Sequence, residues 1–375
     1  MRTRHVVVVF HDEILNGATI SVLRALPCLE ERGWSFAFWV PQPGPTADRL
    51  RAEGYRVYGE AKPVASGLRA LREPPGIARR LARTPGYLRR LRHALRREAP
   101  ALVHANSLYS FAEAAAAKRA GVPTLIHLHD MAPRSRKARL AREVVRRSAD
   151  FAVAASQACA DSYAVGMGGW SPRVVYEAAP VPAEPAAVRE RPEPYVIGTV
   201  GVVAPRKGSD LFVEAARRIL AERDDVEFRM VGSATDPLER EWGEAVLRRA
   251  ADLGIRHIPQ TDVEAELRGW DAFALPSRYD PCPIALLEAM ALGLPVMGSK
   301  VDGIPEEIAP GTGLLVDAED ANDLARAMRQ VIAMPHGERV AMGRAARARV
   351  ERVFSVEQQA HALDQAYSEV TRISD

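Results

Sequence analysis

The segment from Leu275 to Glu306 concentrates residue types that hold a phosphorylated ligand. Asp280 and Glu288 stand eight positions apart, and Pro283 between them suits the first turn of a helix. A helix start presents unpaired N–H groups, here those of Ile284 and Ala285, and the positive end of a dipole, which together favour phosphate. Two carboxylates beside such a start accept hydrogen bonds from sugar hydroxyls, each worth about 1.5–3 kcal/mol when charge-assisted. Lys207, with Arg206 before it, opens another helix after a strand, and an ammonium is a point-charge partner for phosphate. Four histidines lie in or just after strands: His11, His104, His127 and His129. A strand histidine is more often packed than reactive, which leaves His104 structural. His129 enters a loop in HLHD, and His127 two residues earlier shares its face of the strand. No G-x-G-x-x-G follows the first strand, and neither a P-loop nor a G-x-S-x-G elbow occurs, so dinucleotide chemistry and the Ser-hydrolase elbow are disfavoured.

The elements that must position these groups are legible as a rhythm. Apolar runs at 5–10, 36–40, 101–105, 124–130 and 151–156 read as buried strands, and the stretches at 19–33 and 111–120 between them have helical spacing. The rhythm restarts with strands at 195–203, 227–232, 256–259, 272–277, 295–299 and 313–317 and helices at 208–222, 238–253, 263–269, 284–292 and 320–333. Continuous apolar strands separated by helices imply a parallel sheet covered on both faces. The expected fold class is therefore α/β, with two doubly wound parallel-sheet domains. Ligands in such domains bind at the C-terminal strand ends. Five prolines in residues 178–194 mark a linker at 181–194, and Ser355 with Gln358 reads as a capping box opening a last helix.

The wording of 277–296 resembles the E-x7-E signature of the retaining GT-B glycosyltransferases, glycosyltransferase family 4. Its matching positions are Ser277, Asp280, Pro281, Leu287, Glu288, Ala289, Met290, Ala291, Gly293, Pro295 and Val296. GTVGVVAPRKGSD at 198–210, the Asn16–Gly17 loop, and GIPEEI with GTGLLV resemble further segments of that family in the same order. The resemblance implies a GT-B fold: residues 1–180 as a first, acceptor-side Rossmann-like domain, 181–194 as linker, 195–352 as the nucleotide-sugar-binding domain, and 353–375 as a helix packing back on the first domain. It implies transfer of a sugar from a nucleotide diphosphate sugar to an acceptor hydroxyl with retention and without a cofactor. A sugar-nucleotide epimerase of the same fold, or an inactive scaffold, stays open as the alternative. Carried over by position, Lys207 binds the donor diphosphate, Glu288 the ribose hydroxyls and Asp280 the sugar, while Gly17 faces the diphosphate and His129 the reacting centre. Val202 stands where the family has an arginine, with Arg206 as its doubtful substitute, and Pro283 replaces a glycine and its N–H. The absence of a D-x-D tripeptide separates the chain from the metal-dependent GT-A enzymes, and no metal site is expected.

Composition bounds the rest. The chain has 375 residues, 47% hydrophobic and 26% charged, which suits two ordinary globular domains. Three scattered cysteines exclude a disulfide framework and fit a reducing cytoplasm. A net charge of +13 on residues 1–180 opposes −10 on residues 181–375. Ten arginines and a single acid, Glu73, fall within 67–97, and Leu88, Leu91 and Leu95 share one side of its helical part. That pattern suits peripheral contact with an anionic inner-membrane surface, an acidic acceptor, or simply a solvated helix. Aromatic residues do not interleave with the arginines, so nucleic acid is not expected.

Overall fold

The computed structural model describes residues 4–41, 43–59, 62, 77–133, 138–259 and 262–373. They divide into two compact units, Met1–Tyr176 with Val356–Asp375, and Glu177–Ser355.

The first unit contains strands β1 (His5–Val9), β2 (Ser35–Val40), β3 (Arg56–Gly59), β4 (Leu102–Ala105), β5 (Thr124–Leu128), β6 (Phe151–Ala154) and β7 (Arg173–Val174). They pair in parallel in the order β3-β2-β1-β4-β5-β6-β7. Helices α1 (Gly17–Glu31), α2 (Pro45–Ala52), α3 (Ile77–Glu98), α4 (Phe111–Lys118), α5 (Ala138–Ser148) and α6 (Gln157–Ala164) connect them. Strand alternation explains why the valine run is apolar on both faces. Val6, Val8 and Phe10 pack in one layer with Val22, Leu26 and Leu29 of α1, while Val7 and Val9 pack in the other with Tyr87, Leu91 and Leu95 of α3.

That second layer accounts for the apolar side of the basic helix. Leu91 and Leu95 are buried in the core and Leu88 packs against it, so this apolar side is used by the protein itself. Arg89, Arg90, Arg92, Arg96 and Arg97 are left on the exposed side. Residues 67–76 of the basic segment lie outside the described residues. Among the described residues no helix is long and apolar enough to cross a membrane.

The second unit contains β8 (Tyr195–Val200), β9 (Val226–Val231), β10 (Arg256–Ile258), β11 (Ala272–Leu275), β12 (Val296–Ser299) and β13 (Leu314–Val316), parallel in the order β10-β9-β8-β11-β12-β13. Its helices are α7 (Ser209–Leu220), α8 (Arg240–Asp252), α9 (Val263–Leu267), α10 (Ile284–Ala291), α11 (Ile304–Glu307), α12 (Ala321–Ala333) and α13 (His336–Arg349). In both sheets the strand order reverses beside the first strand, between β1 and β4 and between β8 and β11, and the ends of those strands are the expected ligand sites.

The proline-rich segment is not a free tether. Arg347 donates to the Pro182 carbonyl, Arg268 to those of Glu184 and Pro185, and Arg339 to those of Arg189 and Glu190. The Ala186 N–H also donates to the Leu292 carbonyl at 2.8 Å, so the segment is strapped to the second unit. Prolines deprive it of donors, and long-range arginines satisfy its carbonyls instead.

The chain ends in α14 (Val356–Ile373), whose Leu363, Ala366, Tyr367 and Val370 join the α1 layer of the first unit. Tyr367 lies within hydrogen-bonding distance of His104, with 2.7 Å between its hydroxyl and Nδ1, both groups being wholly buried. Burial, aided by His129, drives the His104 pKa down to about 3, so the ring is neutral. Replacing Tyr367 by Phe strands a buried imidazole nitrogen, and the expected loss is about 1–3 kcal/mol in urea unfolding. A Tyr367→Phe/His104→Phe double variant is expected to lose less than the two single losses combined.

Candidate functional site

In the second unit the loops after β8 and β11 are bolted to each other. The N–H groups of Arg278 and Tyr279 both donate to the Arg206 carbonyl, at 2.8 and 3.3 Å. The Arg278 guanidinium reaches back to the Pro205 carbonyl at 2.8 Å and grips Asp210 through two bonds of 2.7 and 2.8 Å. Burial works to raise the Asp210 carboxyl, but the arginine outweighs it and holds the group below the usual range. Gly208 makes the approach possible: at φ 65° it is left-handed, and a Cβ there would stand 1.9 Å from the Pro276 carbonyl oxygen.

This junction brings Lys207 and Asp280 together, 73 residues apart in sequence, with Nζ 2.5 Å from Oδ2. Both side chains are largely covered, at 15% and 7% exposure. The Ser277 hydroxyl donates to the same Oδ2 at 3.2 Å. The Asp280 backbone is fixed as well, since its N–H donates to Asp302 Oδ2 at 3.0 Å and its carbonyl accepts from the Gly303 N–H at 3.2 Å. Helix α10 begins just beyond, with Pro283 as its N-cap and no capping side chain. Ile284, Ala285 and Glu288 are half-buried, and Ile284 and Glu288, four apart, share a helix face.

Arg206 does not join this group. Its side chain is exposed, and its backbone carbonyl rather than its charge serves the site, because adjacent side chains diverge. Arg278, Asp302 and Gly208 are structural parts of the site that residue-by-residue reading did not single out, and Ser277, named only as a matching position of the signature, is another. Ser277 stands three positions before Asp280, which was the available signal.

In the first unit the loops after β1, β4 and β5 carry the remaining candidates. Asn16 caps α1, its side chain accepting from the Thr19 N–H at 2.9 Å and donating to Asp12 Oδ2 at 2.9 Å. Gly17 follows as the exposed first residue of α1. His11 Nε2 lies 3.0 Å from Asp12 Oδ2. His129 is half-buried just past β5 and lies 2.8 Å from Asn106 Oδ1 through Nε2. Its ring centroid is 4.0 Å from that of His127, which is 5.4 Å from that of His104. His127 is wholly buried and neither ring nitrogen has a hydrogen-bond partner. Burial, reinforced by His129 and His104, keeps its pKa well below the usual value. Asp130 is half-buried beside His129.

Two family descriptions match the chain in tandem. Residues 15–178 match Glycosyltransferase Family 4, and residues 181–349 match Glycosyl transferases group 1. A GDP-mannose-dependent monoacylated alpha-(1-6)-phosphatidylinositol monomannoside mannosyltransferase of Corynebacterium glutamicum is 33% identical over 43% of this chain and 44% of its own. A lipopolysaccharide core biosynthesis mannosyltransferase of Rhizobium meliloti is 31% identical over 47% of this chain and 52% of its own. The chain thus spans about half the length of these curated relatives. Among solved structures, Anabaena HepE in complex with UDP-glucose superimposes with a TM-score of 0.78 at 18% identity, covering 97% of this chain and 99% of that one. Sucrose-phosphate synthase of Thermosynechococcus elongatus gives 0.79 at 18% identity, covering 98% and 99%. At that identity the likeness establishes the fold, which is GT-B.

Removing one partner of a buried ion pair leaves a desolvated charge, typically a loss of about 3–5 kcal/mol. Lys207→Ala is therefore expected to destabilise the second unit in denaturant unfolding by roughly that amount. The double variant Lys207→Ala/Asp280→Asn is expected to recover much of it, because the orphaned carboxylate is gone. Additive losses would mean that the two groups are not coupled.

Proposed function

The chain belongs to glycosyltransferase family 4, and we propose that it transfers a sugar from a nucleoside diphosphate sugar to an acceptor hydroxyl with retention at the anomeric carbon. The observation that carries this reading is the Lys207–Asp280 pair beside the open start of α10, with Glu288 one turn further on. An arriving diphosphate competes with Asp280 for the Lys207 ammonium. As it takes that ammonium and the Ile284 and Ala285 N–H groups, the Asp280 carboxylate is released to accept from sugar hydroxyls. Glu288 accepts from the ribose hydroxyls. Negative charge grows on the diphosphate as the glycosidic bond breaks, and a fixed cation with a helix start stabilises it there. In the first unit His129, held by Asn106, is the candidate for orienting the reactants, and Gly17 leaves its own backbone open to close approach by a ligand. In this reading the acceptor attacks from the face the leaving group departs, without a protein nucleophile or a metal.

One relative is a GDP-mannose-dependent enzyme and one structural neighbour was solved in complex with UDP-glucose, which makes those two donors the first to test. Glu288→Ala is expected to weaken calorimetric affinity for UDP or GDP at least tenfold with the fold intact. His129→Ala is expected to lower kcat far more than donor affinity, since its contacts lie at the reacting centre. Product analysis with and without acceptor checks the reaction class: sugar transferred only when acceptor is present supports the reading, and donor isomerised without acceptor overturns it.

The exposed arginines of α3 favour a second, finer reading, a charge-driven peripheral contact with the anionic inner surface of a membrane. Because the leucine side is buried, this contact would be electrostatic without insertion. Co-sedimentation with phosphatidylglycerol vesicles is expected at low salt and is expected to vanish near 0.5 M salt, where screening reaches within about 5 Å. Binding that persists there would contradict a purely electrostatic contact.

A further inference from the structure

The loop that carries Asp280 rests on a buried acid that neither the fold nor the donor contacts use. Glu307 ends α11 and is wholly inaccessible, at 0% exposure. Neither carboxyl oxygen has a nitrogen or oxygen hydrogen-bond partner. The thiol of half-buried Cys282, inside the Asp280–Pro283 loop, faces it as a weak partner. Five residues before Glu307, Asp302 takes the Asp280 N–H, and Gly303 gives its own N–H to the Asp280 carbonyl. Segment 302–307 thus supports the loop at both Asp280 and Cys282.

The surrounding charges are unbalanced. Asp280 and Glu306 bear on Glu307 as anions and Lys207 as the cation, while Glu177 bears on Cys282. Arg349, from α13, spends its guanidinium on the backbone carbonyls of Glu306 and Glu307, with Nε 2.7 Å from the latter. Burial, then the neighbouring acids, raises the Glu307 carboxyl well above the usual range, against the opposing effects of the Cys282 thiol and Lys207.

We propose that Glu307 is a positioning residue of the donor site, held as the neutral acid beneath the Asp280–Pro283 loop, and that a nucleoside diphosphate binds this unit only while that proton is in place. The proposal rests on the donor-site reading above and adds to it. An ionised Glu307 sets a second buried carboxylate against the one ammonium that both Asp280 and the diphosphate require. Linkage is reciprocal, so a bound diphosphate holds the Glu307 proton more tightly.

The sign for stability follows from the raised folded value. In the unfolded chain Glu307 loses its proton first, so stability falls as pH rises from the ordinary glutamate range to the folded value and is level above it. Glutamine keeps the shape and has no proton to lose.

The test compares the full wild-type chain with Glu307→Gln over a pH series that starts near the ordinary glutamate range and runs upward from it. Thermal unfolding gives the stability slope, and calorimetry gives affinities for UDP and GDP. Wild type is expected to lose stability as pH rises toward the folded value, and above that value, where stability levels off, to lose affinity, approaching about tenfold per unit once Glu307 ionises. Glu307→Gln is expected to bind within about twofold of wild type at pH 6 and to show neither loss. Parallel curves for the two chains, or tenfold weaker binding by Glu307→Gln at pH 6, overturn the proposal. Proton uptake on UDP binding, read in buffers of different ionisation enthalpy at the pH where wild-type affinity is falling, tests wild type alone; no uptake there overturns it as well. If neither nucleotide binds wild type at any pH, the donor-site reading fails and the binding half of the proposal with it, whereas the difference in stability slopes still decides whether Glu307 carries the proton.

Discussion

An ammonium and a carboxylate held 2.5 Å apart with little access to water set the terms for the second unit. Taking both ions out of water costs several kcal/mol for each, and the attraction between them offsets that only when the geometry is held. The holding parts lie in the same two loops. Gly208 lets backbone meet backbone, the Arg206 carbonyl collects two N–H groups, and Arg278 ties the junction to Asp210. Each contact is ordinary alone. Together they fix a cation beside the open start of a helix, which is where a diphosphate is best received.

The two sheets make such a junction available twice. Reversal of strand order between β8 and β11 splays the following helices apart, so the two loops meet at the strand ends instead of being covered. The same reversal between β1 and β4 opens the first unit, where Asn106 after β4 and His129 after β5 meet. Burial on both faces of every central strand leaves those ends as the place where polar side chains can gather at the least cost.

Much of this was legible because it is periodic or local. The valines of β1 specify a doubly covered strand, and the break at Pro283 specifies the start of α10. The leucines of α3 were legible as an apolar side but not in their destination, because a core layer and a membrane surface ask for the same spacing. The helix α13 was missed since its sequence, HGERVAMGRAARAR, is charged and rich in alanine, with a weak apolar pattern. The strapping of 182–194 was hidden for a different reason. Its partners Arg268, Arg339 and Arg347 are distant in sequence, and local composition carries no trace of them. Glu307 likewise reads as one acid among several in GIPEE until the fold buries it.

The histidines show how burial sorts residues that sequence cannot separate. In the sequence His127 and His129 stand two positions apart at the end of one apolar run, and chemically they are equal candidates. The structure sets their rings at 4.0 Å, tilted to each other, and continues the column to His104, whose Nδ1 lies 2.7 Å from the Tyr367 hydroxyl. A proton on His127 would be a cation without access to water and without a hydrogen-bond partner, so its ring is kept neutral. His104 is neutral for the same reason. Two of the three rings therefore serve as uncharged spacers between α14 and the strand end. Only His129 is both partly open to solvent and held in orientation, by Asn106. Of the three, it is the ring still open to solvent at the strand end, and the two beneath it determine where it stands.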